Sequence, residues 1–349
     1  MNRQVYPRRR GAAILVAGVS AIARSGWGQG VVAGDRVVRS RRLMGVPWSV
    51  TVQGPEAGAA AEAALDEVAR LERILSDYDP QSELSRLSAA APTTGPVPLS
   101  ADLAAVLERA VALRDTTAGA FDPTVGPLTT LWRQARRSGR MPRPDRLEAA
   151  RAAVGPATLS LEGEPIGAVL TRPGMRLDLG GIGMGYAIDR ALALLAGRGI
   201  ATALVDASGD VAGSSPPPGS DGWRVTVAPL DPREPANKAD AVLLSHAAVT
   251  TSGDAFQAVE IDGQRYSHIV DPRTGLGVAG PAAVTVIAPD CTTADALATA
   301  ASVLGPVVGV ELIARMEGCA ARFVWEERGI RRLSLTPGWP DRARRAAPH

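Results

Sequence analysis

The chain of 349 residues is short of the side chains that most often carry chemistry on their own. It has two cysteines, Cys291 and Cys319, and three histidines, His246, His268 and His349. Two cysteines allow one disulfide at most, which excludes a disulfide scaffold and leaves a bridge and two separate thiols both open. Aromatic residues make up only 4%. The core is therefore expected to be built from Ala, Val, Leu and Ile. Charge of one sign is nowhere concentrated in the body: 38 basic and 36 acidic residues nearly cancel, and the basic excess sits at the two ends, in Arg8–Arg10 and Arg342–Arg345. Nucleic-acid binding needs a clustered basic face, so this distribution argues against it. There is no internal repeat. What is plentiful is apolar content (46%), glycine (37) and proline (27), the profile of a globular chain that turns often.

The N-terminus reads as an address. Arg8–Arg10 precede a weakly apolar, Gly/Ala-rich run, Gly11 to Ala23, that ends in Ala21-x-Ala23. A cationic start, a short apolar middle and small residues at the end make a signal peptide. The run falls short of the ~20 residues a membrane span needs. Paired arginines before it predict export by the twin-arginine route, to the periplasm or the outer face of the cytoplasmic membrane. The division expected is 1–35 as signal and linker, 36–337 as one domain, and 338–349 as a disordered tail.

Within the domain, Trp48-Ser-Val-Thr-Val-Gln53 alternates as a strand does. Pro55 to Asp77 repeats apolar residues at helical spacing, and Ser100 is placed to cap a second helix through Leu103, Val106, Leu107, Ala110 and Val111. Arg137 to Arg146 reads as a loop, and Tyr186 to Gly197 as a helix. Strands are expected at Ala203–Asp206, Trp223–Ala228, Ala241–Val249, Gln257–Ile261, Ala283–Ile287 and Ala321–Trp325. Strands without regular helical crossovers predict an α+β fold with antiparallel sheets rather than a doubly wound one.

Five segments carry possible chemistry. Asp178-Leu-Gly-Gly-Ile-Gly-Met-Gly185 bares backbone N–H groups just before a helix and can hold a phosphate, although such loops also serve close packing alone. Its glycine order is neither the dinucleotide fingerprint nor a Walker loop. Asp295 and Thr299 are four apart and share a helix face, where they offer Mg²⁺ two hard oxygens. From spacing alone, Thr292 with Asp295 reads as a capping box before it reads as a metal site. His268, in Tyr266-Ser-His-Ile-Val-Asp-Pro-Arg-Thr-Gly275, precedes a turn at a strand end and can act as a general base or as a structural residue. Thr251-Ser-Gly-Asp254 is a polar cluster after a β run. In Gly119-Ala-Phe-Asp122, Phe121 offers a ring to a planar ligand and Asp122 a polar edge.

In this wording and order these segments, with Met44-Gly-Val-Pro-Trp-Ser-Val-Thr and Ser76-Asp-Tyr-Asp-Pro-Gln-Ser-Glu-Leu-Ser-Arg, resemble the ApbE family of FAD:protein FMN transferases from about residue 43 to about 325. The resemblance implies an α+β fold related to the T-fold, with a flavin cleft between packed helices and antiparallel sheets. It implies that Met44, Tyr78, Ala120, Phe121, Asp122, Asp178, Met184 and Ile269 hold FAD. Gly181, through its carbonyl, would bind Mg²⁺ with Asp295 and Thr299, and His268 would be the base. Many family members carry Lys at the position of Met184, and Asn-x-Gly-Gly-Asp where this chain has Asp206-Ala-Ser-Gly-Asp210. The implied reaction moves FMN from FAD to a threonine of a client protein, a membrane electron-transfer complex or an exported reductase. The alternatives at such a site are hydrolysis of FAD to FMN and AMP, and FAD binding without catalysis.

Overall fold

A computed structural model describes residues 36–227, 230, 241–253, 258–280 and 282–339. The signal peptide, Asp254 and the residues from 340 onward lie outside the described residues.

The chain opens with a hairpin, β1 (Arg36–Leu43) and β2 (Val46–Gln53), whose turn residue Met44 adopts a left-handed φ of 48°. The alternation expected from sequence is real: Trp48, Val50 and Val52 point into the core. Helix α1 (Ala57–Leu75) lays Ala61, Leu65, Val68, Leu71 and Leu75 on the same core. Each such fully buried Leu or Val contributes about 1.5–3 kcal/mol.

A mostly helical stretch follows. It holds α2 (Glu83–Ala89), β3 (Val97–Pro98), α3 (Ala101–Thr116), α4 (Gly126–Ser138), α5 (Pro144–Ala152), β4 (Leu159–Glu162) and β5 (Gly167–Leu170). Ser100 caps α3 as expected, accepting the Leu103 N–H at 3.3 Å. The loop expected at Arg137 to Arg146 is shorter than its Pro/Arg content suggested. Helix α4 runs into it to Ser138, and α5 starts at Pro144, because Pro fits the first turn of a helix.

Helix α6 (Gly183–Gly197) begins inside the glycine motif, three residues earlier than expected. The second half adds β6 (Thr202–Ala207), β7 (Asp210–Gly213), β8 (Trp223–Thr226), β9 (Ala241–Leu244), β10 (Ala247–Gly253), β11 (Ala258–Ile261), β12 (Gln264–Val270), β13 (Gly277–Ala279), β14 (Ala282–Ala288), α7 (Cys291–Ala314), β15 (Ala320–Glu327) and β16 (Ile330–Leu335). The single strand expected at Ala241–Val249 is two, broken where His246 takes a φ of 48°.

Eight strands form one antiparallel sheet in the order β1-β2-β6-β7-β10-β14-β15-β16. Helices α1, α6 and α7 cover one face. The β8–β9 ribbon covers the other through Trp223, Val225, Val242 and Leu244, which pack on Leu204, Val211, Val249 and Ile287. Trp339 is buried in this second cluster. The packed chain thus extends beyond the boundary at residue 337, because an indole there has apolar partners to cover. Helix α7 is long and apolar enough to cross a membrane by length and composition, yet its stretch from Cys291 to Ala298 is buried against the sheet and α6. Gly305, at φ 78°, kinks it before Pro306. Cys291 and Cys319 are not joined to each other by a disulfide.

Candidate active site

The glycine motif sits where α6 meets α7. Asp178 is buried; its N–H donates to the Pro123 carbonyl at 2.9 Å, and its Oδ1 accepts the Gly180 N–H at 2.8 Å. Its Oδ2 accepts from Thr129 Oγ1 at 2.6 Å and from Arg133 Nη2 at 3.0 Å. This carboxylate therefore shapes the start of the loop from within.

Gly181 lies directly against Thr299. A Cβ on residue 181 would come within 2.7 Å of Thr299 Oγ1, so only glycine allows this approach. Ser252 Oγ, from β10, is 3.3 Å from the same hydroxyl. One turn earlier on α7, Asp295 is 5% exposed and its Oδ2 accepts the Gly185 N–H at 3.3 Å. Burial pushes the Asp295 carboxyl well above the usual range, and Asp210 and Asp189 push it further. Asp210 is raised to about 7 by burial and by Asp206, against a hydrogen bond from the Thr251 N–H. Acidic groups buried together in this way suit a divalent cation, which removes the like-charge repulsion. Among the described residues, no three His, Cys, Asp or Glu side chains group as a metal cluster. A cation here would rest on mixed oxygens: a carboxylate, a hydroxyl and a backbone carbonyl. That is the donor chemistry Mg²⁺ accepts.

The capping-box reading of Thr292 and Asp295 does not hold. Asp290 is the N-cap of α7, accepting the Thr293 N–H at 2.7 Å. Asp189 of α6 accepts the N–H groups of Cys291 and Thr292, both at 2.8 Å, and the Thr292 hydroxyl also bonds to it. With its N-terminus supplied by these two, α7 leaves Asp295 to turn toward the glycine loop.

Tyr78 and Asp178 are joined by one residue that the sequence did not single out, Arg133 of α4. Its Nη1 bonds to Asp77 Oδ2, and its guanidinium carbon stands 4.3 Å from the centre of the Tyr78 ring. Burial raises the Asp77 carboxyl, and Asp178 adds to this while Arg133 opposes it. The neighbouring residue, Trp132, faces another way. Its Nε1 donates to the Gly275 carbonyl at 2.9 Å, and its ring lies 5.0 Å from that of Tyr266. It thereby fixes the Asp271–Gly275 turn, closed by the Gly275 N–H to Asp271 O bond of 2.8 Å, just after β12. His268 is half-buried on β12, two residues from the strand end, as expected. Ile269 beside it is buried, with its N–H donating to Ser267 Oγ at 3.1 Å.

The remaining site residues are placed differently from one another. Met44 is half-buried in the β1–β2 turn, its N–H donating to Glu72 Oε1 at 2.9 Å. Met184, in the first turn of α6, packs on the core and brings no charge. Ala120 and Phe121 belong to the core, and Phe121 is 4% exposed. The ring contact expected from sequence is therefore not presented; this turn offers backbone and Asp122. Asp122 accepts from Thr124 N and Oγ1 at 2.8 and 2.6 Å, and burial raises its carboxyl. It lines a cleft of about 790 Å³ walled also by Arg114, Arg151 and Arg273, whose lining includes none of Met44, Tyr78, Asp178, His268 or Asp295.

The sheet of eight antiparallel strands, the three helices on one face and the glycine loop set against α7 make up a fold that superposes on solved flavin transferases. The chain belongs to the ApbE family, whose family model matches residues 44–323. It is similar to the FAD:protein FMN transferase of Salmonella typhimurium, 33% identical over 82% of this chain and 83% of the relative. It is also similar to that of Treponema pallidum, 32% identical over 88% of each. The crystal structure of the apo flavinyl transferase ApbE of Pseudomonas stutzeri superposes with a TM-score of 0.78 at 29% identity, covering 92% of this chain and all (100%) of that one. The flavin transferase ApbE of Vibrio cholerae superposes with a TM-score of 0.76 at 27% identity, covering 88% of this chain and 99% of that one.

Proposed function

We propose that this protein transfers the FMN half of FAD to a threonine hydroxyl of a client protein and releases AMP. The observation that carries the reading is the close approach of Gly181 to Thr299, one turn from a buried Asp295, in a chain of this family. The Gly181 carbonyl, Asp295 and Thr299 would hold Mg²⁺, which when bound supplies charge neutralisation to the diphosphate. The glycine loop and the first turn of α6 offer backbone N–H groups to the same phosphates. Met44, Tyr78, Ala120, Phe121, Asp122, Asp178, Met184 and Ile269 would contact FAD, Ala120 and Phe121 through backbone.

His268 accepts the proton of the client threonine as its oxygen bonds to the FMN phosphorus. The bond from that phosphorus to the bridging oxygen breaks, and AMP leaves with the electron pair. The product is a phosphoester-linked FMN. The arginine-led N-terminus supports export by the twin-arginine route, which would place clients in the periplasm or on the outer face of the cytoplasmic membrane: a membrane electron-transfer complex or an exported reductase.

The test is to incubate the protein with FAD, Mg²⁺ and candidate clients and to look for a covalent FMN mass on the client. His268→Ala should lower transfer by about 10²–10⁴-fold, the usual contribution of a general base. Asp295→Ala should abolish transfer as well. Undiminished client labelling by the Asp295 variant would sink the metal assignment. Free FMN beside an unmodified client would point to hydrolysis instead.

A further inference from the structure

Arg133 touches two residues of the proposed flavin site, Tyr78 and Asp178. Its side chain is only 21% exposed although it ends in a charge. One arm bonds to Asp77 and the other to Asp178, while the guanidinium carbon lies over the Tyr78 ring, 4.3 Å from its centre. Tyr78 is 75% exposed, so its other ring face is open to solvent. Around it, Ser76 Oγ accepts the Tyr78 and Asp79 N–H groups at 3.2 and 3.1 Å, and the Ser76 carbonyl accepts from Ser82 and Ser85. The Asp77 carbonyl accepts from Arg176. The backbone of this segment is thus fixed, but among the described contacts the exposed ring of Tyr78 rests on Arg133.

We infer that Arg133 is a positioning residue for the flavin: it packs on the Tyr78 ring and pins Asp178, so that a planar ring can lie on the open face of Tyr78. A guanidinium suits this position and an ammonium does not. Only the planar fork can bond two carboxylates in its plane while stacking on a ring. Asp77 and Asp178 come from segments a hundred residues apart in sequence, and α4 is what holds them together. The inference rests on the proposed reading that Tyr78 and Asp178 contact FAD.

The test compares wild type, Arg133→Met, Arg133→Lys and Tyr78→Ala, each with thermal melting, FAD titration and steady-state transfer. Loss of a cation–π contact and a charged hydrogen bond should raise KM and Kd for FAD about tenfold in Arg133→Met, with kcat within about twofold. Arg133→Lys should recover little of this loss. Adding Arg133→Met to Tyr78→Ala should cost much less than it does in wild type, because the two residues act as one unit. Unchanged FAD affinity in Arg133→Met overturns the inference while leaving the transferase reading intact. So does a fall in kcat that merely tracks a lowered melting temperature, or full additivity with Tyr78→Ala. A wild-type protein that does not bind FAD sinks both.

Discussion

At the scale of single residues, the site is shaped as much by a missing atom as by the groups present. Gly181 has its place because a Cβ would strike Thr299 Oγ1 at 2.7 Å. Gly181→Ala should therefore displace the Thr299 hydroxyl and raise the Mg²⁺ concentration for half-maximal transfer about tenfold, the range seen when a metal ligand's support is lost. Activity against Mg²⁺ concentration reads this directly, and an unshifted curve would remove Thr299 from the metal set. The same scale shows what local sequence can and cannot reveal. The Trp48–Val50–Val52 alternation and the Ser100 cap are encoded within a few residues, and both were legible. Arg133 was not, because its partners Asp77 and Asp178 lie 56 and 45 residues away and no periodicity marks them. Asp295 misled for a related reason. Its spacing from Thr292 imitates a cap, while the groups that cap α7 are Asp290 and the distant Asp189.

Among the elements, the junction of α6 and α7 decides whether the glycine loop is held. A Cβ on Gly185 would meet the Cys291 carbonyl oxygen at 2.3 Å, so the two helix starts are in backbone contact. Asp189 ties them by accepting two α7 amides, and its charge also opposes the α7 dipole favourably. Asp189→Ala should lower stability by about 1–2 kcal/mol, the usual cost of a lost cap. Urea unfolding checks this: the midpoint should fall with the slope unchanged. The glycine loop itself was readable as a bared backbone before a helix. What the helix start packs on was not, since α7 arrives about a hundred residues later.

For the molecule as a whole, the buried acids make stability depend on pH and on the cation together. Asp210, ordinarily ionised near pH 4, titrates at about 7 in the folded chain because of burial and Asp206, and Asp295 is shifted the same way. Between about pH 4 and 7 the native state keeps a proton on Asp210 that the unfolded chain has released. Asp210 therefore favours folding most at low pH, and its contribution falls as pH rises through that window, by up to about 1.4 kcal/mol per unit; Asp295 acts in the same direction. Mg²⁺ bound beside the ionised carboxylates should reverse the loss. Melting temperatures with and without Mg²⁺ should differ more at pH 8 than at pH 5. Equal shifts at both values would show that the cation does not sit on these acids. The α+β class and the antiparallel sheet were legible from strands without regular crossovers. The two-sided core was not, because the β8–β9 ribbon and Trp339 reach the far face only through the finished sheet.

Trp132 and Arg133 are neighbours on one helix, yet one grips the turn beyond His268 and the other the Asp77–Asp178 pair. A local opening of α4 would release both grips at once. Partial fraying of that helix should then not produce a half-working enzyme that binds flavin but misplaces the base; each molecule should be either fully competent or wholly inactive. Flavin, by holding the two sides together, should in return make α4 the segment whose amide exchange slows most.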